Sequence, residues 1–166
     1  MIHASRLRWL ILTFVVVFLD RVSKAAIEAR TIEGWRHELI HNFIYLVHSK
    51  NTGIAFSMFA DGAEWTRYVL IAGSLAVIAI LAWYLVAGSA VSARVAAGLA
   101  LLLGGATGNI TDRILHGGVT DFFEVWFGSY HYPAFNVADS AITIGAILIL
   151  LDVLFPNRSA AKMPAK

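Results

Sequence analysis

Residues 68–87, YVLIAGSLAVIAILAWYLVA, form a run of 20 residues without a single charge. A helix needs about 20 apolar residues to cross a bilayer, so this stretch predicts a membrane-spanning helix. The whole chain agrees with that prediction, because 58% of its 166 residues are hydrophobic and 14% are charged. A soluble domain of similar size carries roughly 25% charged residues. The sequence therefore predicts a membrane protein, with residues 1–166 forming one membrane domain.

Composition also excludes several classes of function. The chain has no cysteine, which excludes disulfides, zinc–thiolate sites and cysteine nucleophiles. Its net charge of +2 and the lack of a basic block argue against nucleic acid as a partner. The histidines are scattered and form no H-E-x-x-H motif, and neither a P-loop nor a dinucleotide fingerprint occurs. We therefore expect neither a metal site nor a cofactor.

Two more spans follow the first one along the chain. Residues 95–113 begin with a long uncharged stretch, in which Gly104 and Gly108 have the spacing that favours close helix packing. Residues 137–155 form another apolar segment, with Asp139 in its first turn. These segments predict two further transmembrane helices.

The N-terminal segment has two interpretations. Two arginines precede an apolar run at residues 9–19, which resembles a secretory signal peptide. No clear A-x-A cleavage site follows, however, and the helical pattern continues to about residue 27. Asp20 and Lys24 lie four residues apart, so they share one helix face and can pair. We therefore favour a retained span at residues 9–27.

Four spans place both termini on one side of the membrane. The short segments on that side, 1–8, 88–94 and 156–166, carry six basic residues in 26. The opposite loops, 28–66 and 114–135, carry three in 61. By the positive-inside rule, the termini are predicted to be cytoplasmic and the two long loops to be outside.

With this topology, the unusual polar residues all fall near the outer face of the bilayer. Ionisable residues at such depth are candidates for function, because burying them in lipid is costly. They are Asp20, Lys24, Asn51, Asn109, Asp112, Arg113, Asp121, Asn136 and Asp139.

The outer loops contain patterns typical of strands. In the first loop, apolar and β-branched residues at 40–47 and 54–59 flank the turn signal SKNTG, which predicts two or more short strands. In the second loop, residues 123–127 alternate as a strand does, a turn is predicted at residues 128–129, and Pro133 is expected to end the segment. The aromatic residues here suit the membrane interface, either as simple anchors or as a lipid-facing platform beside a site; they are Trp126, Phe127, Tyr130 and Tyr132.

Two carboxylates suggest a chemistry. Asp121 and Asp139 are separated by a loop that returns to the membrane surface, so they could meet. Two facing carboxylates share a proton and offer an acid and a base together, as in aspartic proteases. The alternative is a structural role, since an aspartate in a helix's first turn is often a cap. A charge-assisted pair between Asp112 and Arg113, one turn after Asn109, is expected to hold the end of the third span.

Two other classes of function remain open on the residues alone. A small transporter or channel would line a path with polar groups at several depths, whereas these lie at one end. A structural membrane protein would use the charges only to fasten its helices together.

Five stretches in order resemble the bacterial lipoprotein signal peptidases, the signal peptidase II family. They are DRVSK (20–24), NTGIAFS (51–57), GGATGNITDR (104–113), VTDFFEVWF (119–127) and PAFNVADS (133–140). Each stretch is a weak signal by itself, but all five at this spacing are specific, and they extend over residues 20–140.

The resemblance implies an all-α polytopic membrane protein with four transmembrane helices and a small β-sheet from the two extracytoplasmic loops. It also implies an aspartic endopeptidase of the bacterial cytoplasmic membrane that acts on diacylglyceryl-modified prolipoproteins and cuts before the lipidated cysteine. Membrane lipids are then expected partners, and we expect a monomer. Asp121 and Asp139 match the catalytic pair. The resemblance assigns substrate binding or support of the pair to Asn51, Gly53, Asn109, Arg113 and Asn136. It assigns structural roles to Asp20, Lys24 and Asp112.

Overall fold

The computed structural model describes residues 4–53, 64–87 and 92–156. Within these ranges the chain forms four helices and four strands. The helices are α1 (Ala4–Glu28), α2 (Glu64–Ala87), α3 (Ala93–His116) and α4 (Val137–Leu154). The strands are β1 (Arg36–Ile40), β2 (Ile44–Asn51), β3 (Val119–Phe127) and β4 (Tyr130–Phe135). Each predicted span is therefore a helix, with bounds that differ from the prediction by a few residues.

Among the described residues, three helices are long and apolar enough to cross a membrane. They are α3, α4 and the part of α2 from Trp65 to Ala87. The protein is therefore an integral membrane protein. The helix α3 has the lowest mean hydropathy of the three, 1.3, but 56% of its apolar window is buried. It contacts each of the other three helices and forms the centre of the bundle. The 25-residue helix α1 is not one of the three, because it carries charges between residues 20 and 24.

Glycines bring α3 close to its neighbours. A Cβ at Gly104 would lie 2.8 Å from the Cβ of Val16 on α1, and one at Gly108 would lie 2.5 Å from Asp20 Oδ2. A Cβ at Gly98 would lie 2.8 Å from the carbonyl oxygen of Gly145 on α4. These distances are shorter than normal contacts, so a larger side chain would push the helices apart. The close packing predicted from Gly104 and Gly108 is confirmed.

The strands form one antiparallel sheet in the order β1-β2-β3-β4. The first loop has a turn that the sequence did not predict. Residues 40–47 do not form one strand, because Asn42, with φ of 52°, turns the chain between β1 and β2. The predicted SKNTG turn begins within β2, which extends through Asn51, and the Gly53 N–H bonds back to Asn51 Oδ1 as in a local turn. The strand predicted at residues 54–59 lies outside the described residues.

In the second loop, the turn predicted at residues 128–129 is confirmed. Gly128 has φ of 65°, which suits the first central position of a two-residue hairpin turn. The expectation for Pro133 is wrong, because it lies inside β4. A proline lacks the N–H that a central strand needs, but β4 is an edge strand with a bulge, where proline is tolerated.

Hydrogen bonds connect the helix ends at one end of the bundle to each other and to the sheet. Arg67, near the start of α2, donates hydrogen bonds to the carbonyl oxygens of Arg113 and Ile114 in the last turn of α3. At the end of α1, Glu28 accepts a hydrogen bond of 2.6 Å from Thr120 on β3. The ends of α1 and α3 and the beginning of α2 therefore lie at the same end as the strands.

Candidate active site

Asp121 projects from β3 near its start and is only 3% exposed. Its position is set by pairing with Ser49 on β2. Asn51, two residues further along β2, donates a hydrogen bond of 3.2 Å from Nδ2 to Asp121 Oδ2. The sheet therefore fixes this carboxylate and the amide that binds it.

Asp139 lies in the first turn of α4, where it forms a capping box with Asn136. The Asn136 side chain accepts a hydrogen bond from the Asp139 N–H at 2.9 Å, and Asp139 Oδ2 accepts one from the Asn136 N–H at 3.1 Å. The capping role considered from the sequence is thus real. It uses only one of the two carboxylate oxygens, because Oδ1 instead accepts a 2.8 Å hydrogen bond from Asn109.

Asn136 connects the two carboxylates. It is fully buried, and its Nδ2 donates to Asp121 Oδ1 at 2.7 Å. The same residue therefore holds Asp121 through its side chain and Asp139 through its backbone. The two aspartates therefore share a hydrogen-bonding partner, although they are 18 residues apart.

A buried ionic cluster lies behind this pair. Lys24 Nζ contacts Asp20 at 2.8 Å, Asp112 at 2.7 Å and Asn109 Oδ1 at 3.1 Å, so all three of its hydrogens have partners. Asp20, Lys24 and Asp112 are each 0% exposed. The other oxygen of Asp20 accepts a 3.0 Å hydrogen bond from the N–H of Ala138 on α4. The predicted pairing of Asp20 with Lys24 is confirmed, and the cluster ties α1, α3 and α4 together.

The predicted pair between Asp112 and Arg113 is wrong. Adjacent residues on a helix point in different directions. Asp112 faces inward to Lys24 and to Arg21, whereas Arg113 turns to the first loop and donates to the carbonyl oxygen of Gly53 at 2.9 Å. Gly53 in turn donates its N–H to Asn51 Oδ1 at 3.0 Å. Arg113 thus holds the loop segment that carries Asn51.

Both aspartates line one cavity of about 820 Å³ between the sheet and the ends of α3 and α4. Asn51, Asn109 and Arg113 line it as well. The remaining lining comes from residues 130–135, residues 49, 50 and 52, Val119, Ile142 and Thr143. The volume is large enough for a peptide segment.

Burial, and secondly the charge of Asp139, raises the pKa of Asp121 to about 7. Hydrogen bonds from Asn51 and Asn136 and the positive charge of Lys24 oppose this rise. A carboxyl group with this pKa is partly protonated at neutral pH. The cavity therefore holds a carboxyl group that can donate a proton and a carboxylate that can accept one. General acid–base hydrolysis requires these two groups.

Sequence reasoning missed two contributors. Arg21, on α1, forms an ion pair with Asp112 of α3. Thr120, on β3, donates its N–H to the same carboxylate at 3.5 Å. Arg21 follows Asp20 in the DRVSK stretch, and its charge inside an apolar segment could have singled it out. Thr120 gave no signal, because its role depends on the place where β3 passes the end of α3.

Trp126 is less exposed than the other three aromatic residues that were predicted to lie at the membrane interface. The exposed fractions of Phe127, Tyr130 and Tyr132 are 61%, 60% and 47%. Trp126 instead lies between the guanidinium of Arg36, 5.0 Å from its ring, and the imidazole of His131, 4.9 Å away. Its ring therefore packs against side chains of the sheet and is less exposed than the other three.

Comparisons with known proteins agree with the site. Residues 12–155 match the family model described as signal peptidase (SPase) II. A lipoprotein signal peptidase of Xylella fastidiosa (strain M12) is 39% identical over 162 residues, which cover 98% of this chain and 97% of that protein. One from Janthinobacterium sp. (strain Marseille) is 43% identical over 152 residues, with 91% and 90% covered.

Solved structures are similar as well. A bacterial membrane enzyme superposes with a TM-score of 0.81 at 26% identity, covering 96% of this chain and 93% of its own. A second bacterial membrane enzyme gives a TM-score of 0.77 at 27% identity, covering 90% and 94%.

Proposed function

This chain belongs to the signal peptidase II family, whose members act on lipoprotein precursors, and we propose that it is an aspartic endopeptidase with Asp121 and Asp139 as its catalytic pair. The observation that carries this proposal is the bridge by Asn136, which holds both carboxylates in one cavity. The raised pKa of Asp121 supports it, because such a pair needs one proton at neutral pH.

The chemistry follows from that shared proton. The ionised carboxylate accepts a proton from a water molecule, which attacks the carbonyl carbon of the scissile bond. The protonated carboxyl group donates a hydrogen bond to the carbonyl oxygen, on which negative charge develops. The proton then passes to the nitrogen of the scissile bond as the C–N bond breaks, which releases the amine and restores the pair to its starting charge.

The proposed substrate is a diacylglyceryl-modified prolipoprotein, cut before its lipidated cysteine. Exposed aromatic residues beside the cavity support this assignment. Tyr130 and Tyr132 line the cavity, and both are about half exposed or more. Aromatic rings of this kind are favourable at the membrane interface, where they can lie along acyl chains.

We further propose that α1 is a fourth span. Its exposed side chains form an apolar stripe, Ile11, Phe14, Phe18 and Val22, spaced as on one helix face. Asp20 and Lys24 are buried against α3 and neutralised there, so they need not face lipid.

With four spans, we propose that the termini lie in the cytoplasm and the cavity at the outer face of the cytoplasmic membrane, because the short segments are richer in basic residues than the long loops. We propose residues 1–166 as one domain that acts as a monomer, because both carboxylates and their partners come from one chain.

The other site residues have supporting roles in this proposal. We propose that five residues hold the pair or bind the substrate backbone, namely Asn51, Gly53, Asn109, Arg113 and Asn136. The three asparagines donate hydrogen bonds to an aspartate. Gly53 bonds to Asn51, and Arg113 bonds to Gly53. Asp20, Lys24 and Asp112 hold the helices in register.

The test is to replace Asp121 and Asp139 separately by Asn and to measure release of the signal peptide from a lipidated precursor. Each substitution is expected to lower the rate at least about a hundredfold, because acid–base catalysis contributes that much or more. The matched control is Asp152→Asn, since Asp152 lies at the other end of α4, bonded to Ser92. Substantial cleavage by either variant in the membrane-inserted protein would refute the pair.

The two alternatives from the sequence are not favoured. Neither a transporter nor a structural role explains the family match over residues 12–155. Among the described residues, the buried ionisable groups also lie at one end of the bundle rather than along a path; they are Asp20, Lys24, Asp112 and Asp121.

A further inference from the structure

The strand β4 borders the cavity in an unusual way. All six of its residues, Tyr130–Phe135, line the cavity that holds Asp121 and Asp139. Successive side chains of a strand point to opposite faces of the sheet. A cavity on one face would therefore touch every second residue. Contact with all six indicates that the edge of β4, with its backbone groups, faces the cavity.

This edge is free in the part of the chain that the structure describes. The strand β4 is the last in the sheet, and it pairs there with β3. Trp126 of β3 donates its N–H to the carbonyl oxygen of Phe43, away from β4. Its partner His131 is therefore at a non-hydrogen-bonded position of the β3–β4 ladder. The N–H and C=O of His131 consequently point away from β3, toward the free edge.

We propose that the substrate segment next to the scissile bond binds as an added strand along β4, with the N–H and C=O of His131 as its anchor. This inference rests on the proposed peptidase function. The position favours a peptide over other occupants, because the edge and the two carboxylates share one cavity. An extended peptide paired here lies beside Asp121 and Asp139.

The chemistry of the substrate requires such a partner. In a helix, the carbonyl oxygen of each peptide bond accepts a hydrogen bond from within the helix. A segment that is cut must leave the helix, which exposes backbone polar groups beside lipid. Unpaired groups there are costly. A strand edge supplies donors and acceptors without regard to side chains, as in other cases of strand addition.

Pro133 limits the length of this pairing. It stands two residues beyond His131 and has no N–H to donate. Edge prolines also prevent association between strand edges of different molecules. The edge therefore offers one complete donor–acceptor pair, at His131, which suits binding that must be reversible.

The direct test uses a synthetic diacylglyceryl peptide and a set of analogues, each with one N-methyl amide near the scissile bond. Methylation removes one N–H and blocks close approach of a strand. Because pairing at His131 uses the N–H of one substrate residue, kcat/KM is expected to fall about fivefold or more when that residue is methylated and to change little at its two neighbours. Losses that are uniform, or absent at all positions, would overturn the added strand.

A variant of the enzyme gives an independent test. His131→Pro removes the outward N–H without removing a ladder hydrogen bond, and it is expected to lower kcat/KM about fivefold or more relative to His131→Ala, which keeps that N–H. The matched control is the same comparison on the opposite edge, Glu38→Pro against Glu38→Ala, since both changes remove the carboxylate that accepts hydrogen bonds from Asn42 and Tyr45. The bond from His48 N–H to Trp35 O places the Glu38 N–H outside the ladder as well.

The outcomes separate the two proposals. If the wild-type enzyme does not cleave the unmodified lipopeptide, the peptidase function fails. If it cleaves that peptide and both His131 variants are equally active, the pairing alone is wrong. Thermal unfolding of His131→Pro identifies a folding defect, in which case the N-methyl series on the wild-type enzyme decides.

Discussion

The side chain of Asn136, which directly follows β4, donates a 2.7 Å hydrogen bond to Asp121 near the start of β3. The same asparagine begins α4 and caps Asp139. One side chain therefore determines both where the helix starts and how far the second carboxylate lies from the first.

Substitution of Asn136 separates these two roles. Asn136→Ala is expected to lose the cap of α4, worth about 1 kcal/mol of unfolding free energy, together with the bond to Asp121. Asn136→Ser keeps a good capping residue but cannot reach Asp121, so it should regain stability while its cleavage rate stays low. Thermal unfolding and the lipopeptide assay measure the two effects. Full activity in the Ser variant would show that the bond to Asp121 is dispensable.

Cleavage should decline on the alkaline side with a midpoint near pH 7. Burial and the charge of Asp139 raise the pKa of Asp121 to about 7, and above that pH the pair loses its last proton. The hydrogen bond from Asn51 lowers this pKa, so Asn51→Ala should move the alkaline limb to higher pH. The measurement is kcat/KM against pH for both proteins. An alkaline limb that does not move in the variant would contradict this origin.

Stability should show the same titration with a defined sign. The pKa of Asp121 is raised in the folded state from an ordinary value of 3.8, so the folded protein binds more protons between about pH 4 and 7. Unfolding free energy therefore falls as pH rises through this window, by at most about 1.4 kcal/mol per pH unit, and is level above it. Asp121→Asn should flatten this slope. Denaturant unfolding in detergent at several pH values measures this slope for both proteins. An unchanged slope in the variant would show that Asp121 does not cause the pH dependence of the unfolding free energy.

The sequence predicted the helices well because their signals are local. An uncharged run such as residues 68–87 indicates a span without knowledge of its neighbours, and α2 indeed includes all of it. The pairing of Asp20 with Lys24 was also predictable, since both lie on one helix face.

The errors came from features that depend on tertiary context. Asp112 and Arg113 are adjacent in the sequence and oppositely charged. On the helix, however, they point to different partners, Lys24 and Gly53. Pro133 ends a strand by local rules, yet it is accommodated because β4 is at the edge of the sheet. The turn at Asn42 was overlooked because apolar residues flank it on both sides, although asparagine tolerates the positive φ that this turn needs.

Lys24 is expected to be among the most sensitive positions for folding. Lys24→Met would leave the carboxylates of Asp20 and Asp112 buried without the cation that contacts both. Breaking a buried ion pair from one side costs about 3–5 kcal/mol of unfolding free energy. Arg94→Gln is the control, because Arg94 is a partly exposed cation at the other end of the bundle. Similar melting temperatures for the two variants would contradict the prediction.

Gly108 provides a test of how closely α1 and α3 must approach. A Cβ there would lie 2.5 Å from Asp20 Oδ2 and 3.3 Å from the Cβ of Ala138, so Gly108→Ala must displace the buried carboxylate or separate the helices. Overpacking of this kind costs about 1–3 kcal/mol.

Gly73→Ala is the matched control, because a Cβ added to Gly73 on α2 would meet nothing within 4 Å and alanine is the better helix former. Thermal unfolding should therefore show a lower melting temperature for Gly108→Ala and an equal or higher one for Gly73→Ala. Since Asp20 also binds the N–H of Ala138, just before Asp139, the Gly108 variant should lose cleavage activity even at temperatures where it remains folded. A folded Gly108→Ala protein with full activity would show that the ionic cluster and the catalytic pair are independent.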